Sequence, residues 1–162
     1  MAEQRGVRPR RTAPGRQGVK LDDLSIEPWQ RNRVREVFAN PFYEWLGLRL
    51  ESVGGGVSQV RFNPREELIS GHNMLDGSVL NAVLEVPSFL ALLCELRDGE
   101  NAVTNDIFVQ QLRPVSGGTE ILLEGRLNRR GRTMAWTEAQ ASVDGKVCAL
   151  ARITKTVLPP PG

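Results

Sequence analysis

The sequence predicts an α+β fold in which one long, buried helix is wrapped by an antiparallel sheet of six strands. Three observations carry this reading. Residues 79–93 hold Val79, Leu80, Val83, Leu84, Val86, Phe89, Leu90, Leu92 and Leu93, an apolar run too long for a buried strand and suited to a buried helix. Residues 103–156 break into four stretches of strand pattern divided by turn residues. Two shorter strands precede the helix at 47–51 and 57–63, and Gly54-Gly55-Gly56 joins them as a hairpin turn. A sheet of that size with one covering helix keeps edge strands open, so association with a second copy is expected to cover part of it.

The bulk properties fit one domain. The chain has 162 residues, with 40% hydrophobic and 25% charged, an ordinary globular mixture. Its net charge of +2 is unevenly spread. Residues 1–20 carry six basic residues (Arg5, Arg8, Arg10, Arg11, Arg16, Lys20) against Glu3, which leaves 15 basic and 18 acidic residues for 21–162. The first 20 residues, rich in Arg, Pro and Gly, are expected to be a disordered basic tail, and 21–158 the folded domain. The tail has no aromatics among its charges, which disfavours a nucleic-acid partner. No apolar run reaches transmembrane length, so no membrane contact is expected and a cytoplasmic location follows. Cys94 and Cys148 lie in apolar segments without metal-ligand spacing, which reads as two buried thiols.

In chain order, residues 25–40 read as an extra N-terminal helix. Ser25 or Asp23 can cap it, Pro28 suits its first turn, Val34, Val37 and Phe38 form its apolar face, and Asn40-Pro41 ends it. Phe42, Tyr43, Trp45 and Leu46 read as a short aromatic turn that either packs in a core or lines a ligand mouth. The glycines at 54–56 are not followed by the Lys-Ser/Thr pair or the helix of a phosphate loop. A polar loop from Gly71 enters the central helix at Asp76-Gly77-Ser78, where Asp76 can cap it. Inside the helix sit Glu85 and Pro87. The proline removes a backbone donor and is expected to bend the helix near 83–85. Glu85 in so apolar a segment must be paired, hydrated or chemically active. The strands that follow span 103–112, 119–127, 132–143 and 147–156, with turns at 128–131 and 144–145, in a meander. In the third of these, Met134, Trp136, Glu138 and Gln140 share one face, and Thr133, Ala135, Thr137, Ala139 and Ala141 the other.

Over residues 40–158 the chain resembles hotdog-fold thioesterases of the phenylacetate-pathway and 4-hydroxybenzoyl-CoA type. Asn-Pro-Phe-Tyr-Glu-Trp-Leu-Gly at 40–47 is similar to that family's opening. The stretch from Val103-Thr104 to Leu112-Arg113-Pro114 resembles a strand that begins Val-Thr and ends at a proline. Arg129-Arg130-Gly131-Arg132 resembles its basic hairpin, and 145–156 its last strand. The family motif is His-Gly-Gly, with Asp or Glu nine positions after the His. Here Asp76-Gly77-Ser78 occupies the loop and Glu85 stands nine positions beyond Asp76. Asp76 takes the place of the motif His and Ser78 that of its second Gly.

The resemblance implies a hotdog fold and hydrolysis of an acyl-CoA or acyl-carrier thioester, with a non-catalytic acyl- or CoA-binding hotdog protein as the alternative. It implies a dimer or dimer of dimers, and no cofactor beyond the CoA moiety of the substrate. Glu85 becomes the base or nucleophile and the Gly77 N–H an oxyanion donor, the two coming from different subunits. Glu85 can equally be an ion-paired or hydrated interface residue. Asp76 is a helix cap or part of the chemistry, and Thr104 sits near the substrate or is simply a β-branched strand residue. His72, Asn73 and Ser78 can supply polar contacts. Arg129, Arg130 and Arg132 either meet the CoA phosphates or form a solvated turn.

Overall fold

The protein is described by a computed structural model over residues 19–161. The expected disordered tail lies outside the described residues up to position 18. Val19 donates a backbone hydrogen bond to the Leu50 carbonyl at 3.2 Å, and its side chain packs on the core. Of the two described residues in the expected tail, Val19 packs on the core and Lys20 is exposed.

Helix α1 is Pro28–Phe38, α2 is Pro41–Leu46 and α3 is Gly77–Leu93; the strands are β1 Arg49–Gly54, β2 Val57–Phe62, β3 Asn101–Gln111, β4 Ile121–Arg130, β5 Met134–Val143 and β6 Lys146–Leu158. The residues at 42–46 form helix α2 rather than an irregular turn. Asn40 caps it by accepting from the Phe42 N–H, and Pro41 starts it. Helix α1 begins later than expected. Neither Ser25 nor Asp23 is its cap; Glu27 is, in a reciprocal capping box with Gln30. Gln30 is itself buried and donates to the Cys94 carbonyl at 2.9 Å, which pins α1 to the C-terminal end of α3.

All six strands are antiparallel, in the order β1-β2-β4-β5-β6-β3. The sheet is not the simple meander read from the sequence. After α3 the chain crosses to the far side, where β3 pairs with β6, and of the four strands that follow the helix only β4-β5-β6 are successive neighbours. Local strand patterns say nothing about which strand pairs with which, so the order was not legible. The alternation within β5 is as expected. Ala135, Thr137, Ala139 and Ala141 are buried, whereas Trp136 and Glu138 are exposed.

Helix α3 lies on one face of this sheet and buries eleven of its residues. Full burial of each Val or Leu among them contributes roughly 1.5–3 kcal/mol. The helix passes through Pro87 as one continuous element. Small groups let it sit close to the strands. The Ser58 hydroxyl donates to the Pro87 carbonyl at 2.6 Å, and the Ser88 and Thr137 hydroxyls meet at 2.6 Å. At Gly125 on β4, a Cβ would lie 2.1 Å from the Pro87 carbonyl oxygen, so only glycine permits this approach. Both cysteines are free thiols, and burial, followed by the nearby Glu95 charge, pushes that of Cys94 up to about 11. Among the described residues, no helix is long and apolar enough to cross a membrane.

Candidate active site

Two strands and one helix bring charge into the core beneath β3. Along β6 the residues facing α3 are Ala149, Ala151, Ile153, Lys155 and Val157, all buried. Lys155 is thus in phase with an apolar row, and it is 0% exposed. Its Nζ lies 2.5 Å from Glu85 Oε1 and 2.7 Å from Thr104 Oγ1. The Thr104 hydroxyl donates to the same Glu85 Oε1 at 2.7 Å. The three side chains close a triangle in which both donors to the carboxylate fall on one oxygen. Thr104 and Lys155 are register partners across β3 and β6, and the β3 bulge follows directly after Thr104. Bulges of this kind re-aim a side chain next to a site. The Phe89 ring faces the ammonium at 5.5 Å.

Glu85 and Thr104 line a cleft of about 410 Å³. Its other walls include Arg33 and Glu36 from α1, Tyr43 from α2, and Phe89. Burial first, and then the charge of the nearby Glu85, raise the Tyr43 phenol above its usual range. The aromatic segment at 42–46 therefore divides. Tyr43 lines the cleft, Leu46 is core, and Phe42 and Trp45 are exposed.

The loop residues form a separate group. Asp76 caps α3, as its position predicts. Its Oδ1 accepts from the Ser78 N–H at 2.8 Å and from the Ser78 hydroxyl at 2.6 Å. These bonds, the hydroxyl's first, hold the Asp76 carboxyl below its usual range. The contribution is present above the unfolded-state pKa and is lost as the pH falls through the lower folded-state value. Among the described residues no acceptor meets the Gly77 N–H. The Gly77 carbonyl accepts from the Gln111 side-chain amide at 2.8 Å, and a Cβ at Gly77 would strike that amide. Asn73 is a turn residue with φ 56°, and its carbonyl accepts from the Gly117 N–H at 2.9 Å. His72 is exposed in the turn before it.

The sequence-predicted residues thus fall into three places. Glu85 and Thr104 come together. Asp76, Gly77, Ser78 and Asn73 lie at or before the start of α3, eight residues and about 12 Å along the helix from Glu85. The three arginines do not form one basic hairpin cluster. Arg129 and Arg130 belong to β4 rather than to the turn, and they diverge. Arg129 faces the Trp136 ring at 5.7 Å, Arg130 pairs with Glu100, and Arg132 is exposed in the turn. Lys155 and Gln111 were missed. The signal for Lys155 was present in the period-2 row that begins at Ala149.

The arrangement of these strands around one helix is the hotdog fold. A conserved protein of Pseudomonas aeruginosa superposes with a TM-score of 0.71 at 26% identity, covering 76% of this chain and 98% of that one. A thioesterase of Haemophilus influenzae gives 0.72 at 22% identity, covering 79% of this chain and 90% of that one. The PaaI protein from the phenylacetic acid degradation operon of Escherichia coli gives 0.75 at 17% identity, covering 84% and 98%. No family model and no curated protein matches the sequence.

Proposed function

We propose that the protein hydrolyses an acyl-CoA or acyl-carrier thioester to the free acid and thiol. The observation that carries this reading is the Glu85 carboxylate, set in a cleft of a hotdog fold with one oxygen tethered and Oε2 outside that tether. Thioesterases among the proteins of this fold support it. In the proposed reaction Glu85 takes a proton from water as the water oxygen bonds to the thioester carbonyl carbon. The tetrahedral oxyanion meets the Gly77 N–H at the positive end of α3. Collapse breaks the C–S bond, and the thiolate takes from Glu85 the proton that came from water.

Gly77 and Glu85 of one helix are too far apart to serve one carbonyl, so the donor must come from a second copy. The outer edge of β3 suits that contact. It is an eleven-residue edge strand with Val103, Ile107 and Phe108 exposed along it. We expect a dimer by sedimentation at micromolar concentration, alone or as a dimer of dimers, with activity tracking the dimer. Activity that persists in a demonstrated monomer contradicts a two-subunit site.

The hydrolysis reading is tested by free-thiol release from a panel of acyl-CoAs. Asp76→Asn should retain the cap and the rate. A dead Asp76→Asn beside an active Glu85→Gln transfers the chemistry to the loop. Of the three arginines at 129–132, Arg129 and Arg132 have no carboxylate partner among the described residues. Replacing both by Ala should raise KM for a CoA ester about tenfold, the worth of one charge-assisted bond of roughly 1.5 kcal/mol. KM for the matching N-acetylcysteamine thioester, which lacks the phosphates, should not move.

One observation favours the second reading, a non-catalytic hotdog protein that binds acyl groups or CoA. The Glu85 charge is balanced by Lys155. Saturable CoA-ester binding without thiol release across the panel would select it.

A further inference from the structure

We infer that Lys155 is the positioning residue of the Glu85 carboxylate, which it orients so that Oε1 is anchored and Oε2 is presented to the attacking water. The inference rests on the hydrolytic reading above. A fully buried ammonium is a costly choice in a row otherwise made of Ala149, Ala151, Ile153 and Val157. An apolar side chain there would pack without desolvating a charge, and replacing a buried ion pair by apolar residues is often neutral or stabilising. Core packing therefore does not account for a lysine.

The geometry does account for it. A glutamate side chain has free rotation at its end, and one hydrogen bond leaves the carboxylate plane free to turn. Here two donors from two strands converge on a single oxygen. Lys155 also donates to Thr104 Oγ1, so that the hydroxyl's own proton is directed at Glu85 Oε1. Lys155 thus sets the direction of the second tether as well as providing the first. The other groups facing this carboxylate are the Tyr43 phenol from α2 and, across the cleft, Arg33 and Glu36 from α1. Arg33 bonds Asn101 at 2.7 Å and pairs with Glu36 at 3.5 Å, so Lys155 is the cation paired with Glu85.

The test measures kcat and KM on the best acyl-CoA of a panel for the wild type, Lys155→Met, Lys155→Arg, Glu85→Gln and the Lys155→Met/Glu85→Gln double variant, with folding checked by melting. Lys155→Met should lower kcat about 10–100-fold, the loss expected from a misplacement near 1 Å, with KM within about twofold. On the Glu85→Gln background the same change should alter the residual rate less than about twofold, because there is no carboxylate left to aim. Lys155→Arg keeps the cation but shifts its donors, and should lower kcat at least about fivefold while staying folded. A merely structural ion pair predicts wild-type kcat for folded Lys155→Arg, and that result overturns the inference. So does an equal proportional loss from Lys155→Met with and without Glu85. The two substitutions strain the core in opposite ways, one by removing charge and one by adding volume, so whichever folds decides the matter. A wild type that releases no thiol overturns the hydrolytic reading and this inference together. An active wild type with full kcat in Lys155→Met overturns this inference alone.

Discussion

Glu85→Gln is expected to reduce thioester hydrolysis by roughly 10²–10⁴, the range for loss of a positioned general base. The substitution keeps the shape and the ability to accept from Lys155 and Thr104, but it removes the charge opposite an ammonium that is 0% exposed. The fold should therefore lose stability at the same time. Breaking an enclosed ion pair costs about 3–5 kcal/mol; here we expect about 1–3 kcal/mol, because the glutamine oxygen still accepts and Glu85 is partly solvated. Adding Lys155→Met to Glu85→Gln should recover part of that loss without restoring the rate. Chemical denaturation and thiol release on the same preparations separate the two effects. An undiminished rate in Glu85→Gln removes this carboxylate from the chemistry.

Gly125→Ala should be among the most damaging single-methyl additions the fold can receive. The new Cβ would stand 2.1 Å from the Pro87 carbonyl oxygen, 2.2 Å from its carbon and 2.8 Å from the Ser88 nitrogen. These are backbone atoms of the central helix, so no side chain can swing aside. The helix must lift, which stretches the Ser58–Pro87 and Ser88–Thr137 bonds. Overpacking commonly costs 1–3 kcal/mol, and a backbone clash at the helix seat should cost at least about 3 kcal/mol. Glu85 is two residues from Pro87, so any lift also misaligns the carboxylate, and the folded fraction should turn over more slowly. A wild-type denaturation midpoint for Gly125→Ala would show that the helix does not sit as closely as described.

What could be read from the sequence was local. The run at 79–93 announced its helix, Asp76 its cap, and the small-residue face of β5 its direction, because each depends on neighbours within a few positions. The capping box of α1 was missed because Glu27 is an unusual cap where Ser25 and Asp23 are common ones. The arginines at 129–132 looked like one cluster because adjacency in sequence hides the divergence that a strand imposes. The partner of Glu85 was the largest omission. Its position in the apolar row of β6 was visible, but the fact that this row meets Glu85 depends on β3 crossing to the far edge. No local pattern carries that information.

The strand order also governs when the molecule can come together. Strand β3 is made well before β6, yet β6 is its neighbour within the chain. Until residues 146–158 are available, the eleven residues of β3 have no strand partner within the sheet, and Glu85 faces the place of a lysine that has not yet arrived. Hairpin β1-β2 can close early, whereas β3 waits for a loop closure spanning some forty residues, a slow and entropically costly step. During that interval the same apolar edge proposed to join two finished copies is open to any other nascent chain. The proposed catalytic carboxylate is thus completed by the sixth strand of this sheet, and a chain cut short before Lys146 would lose the sheet edge and the site together.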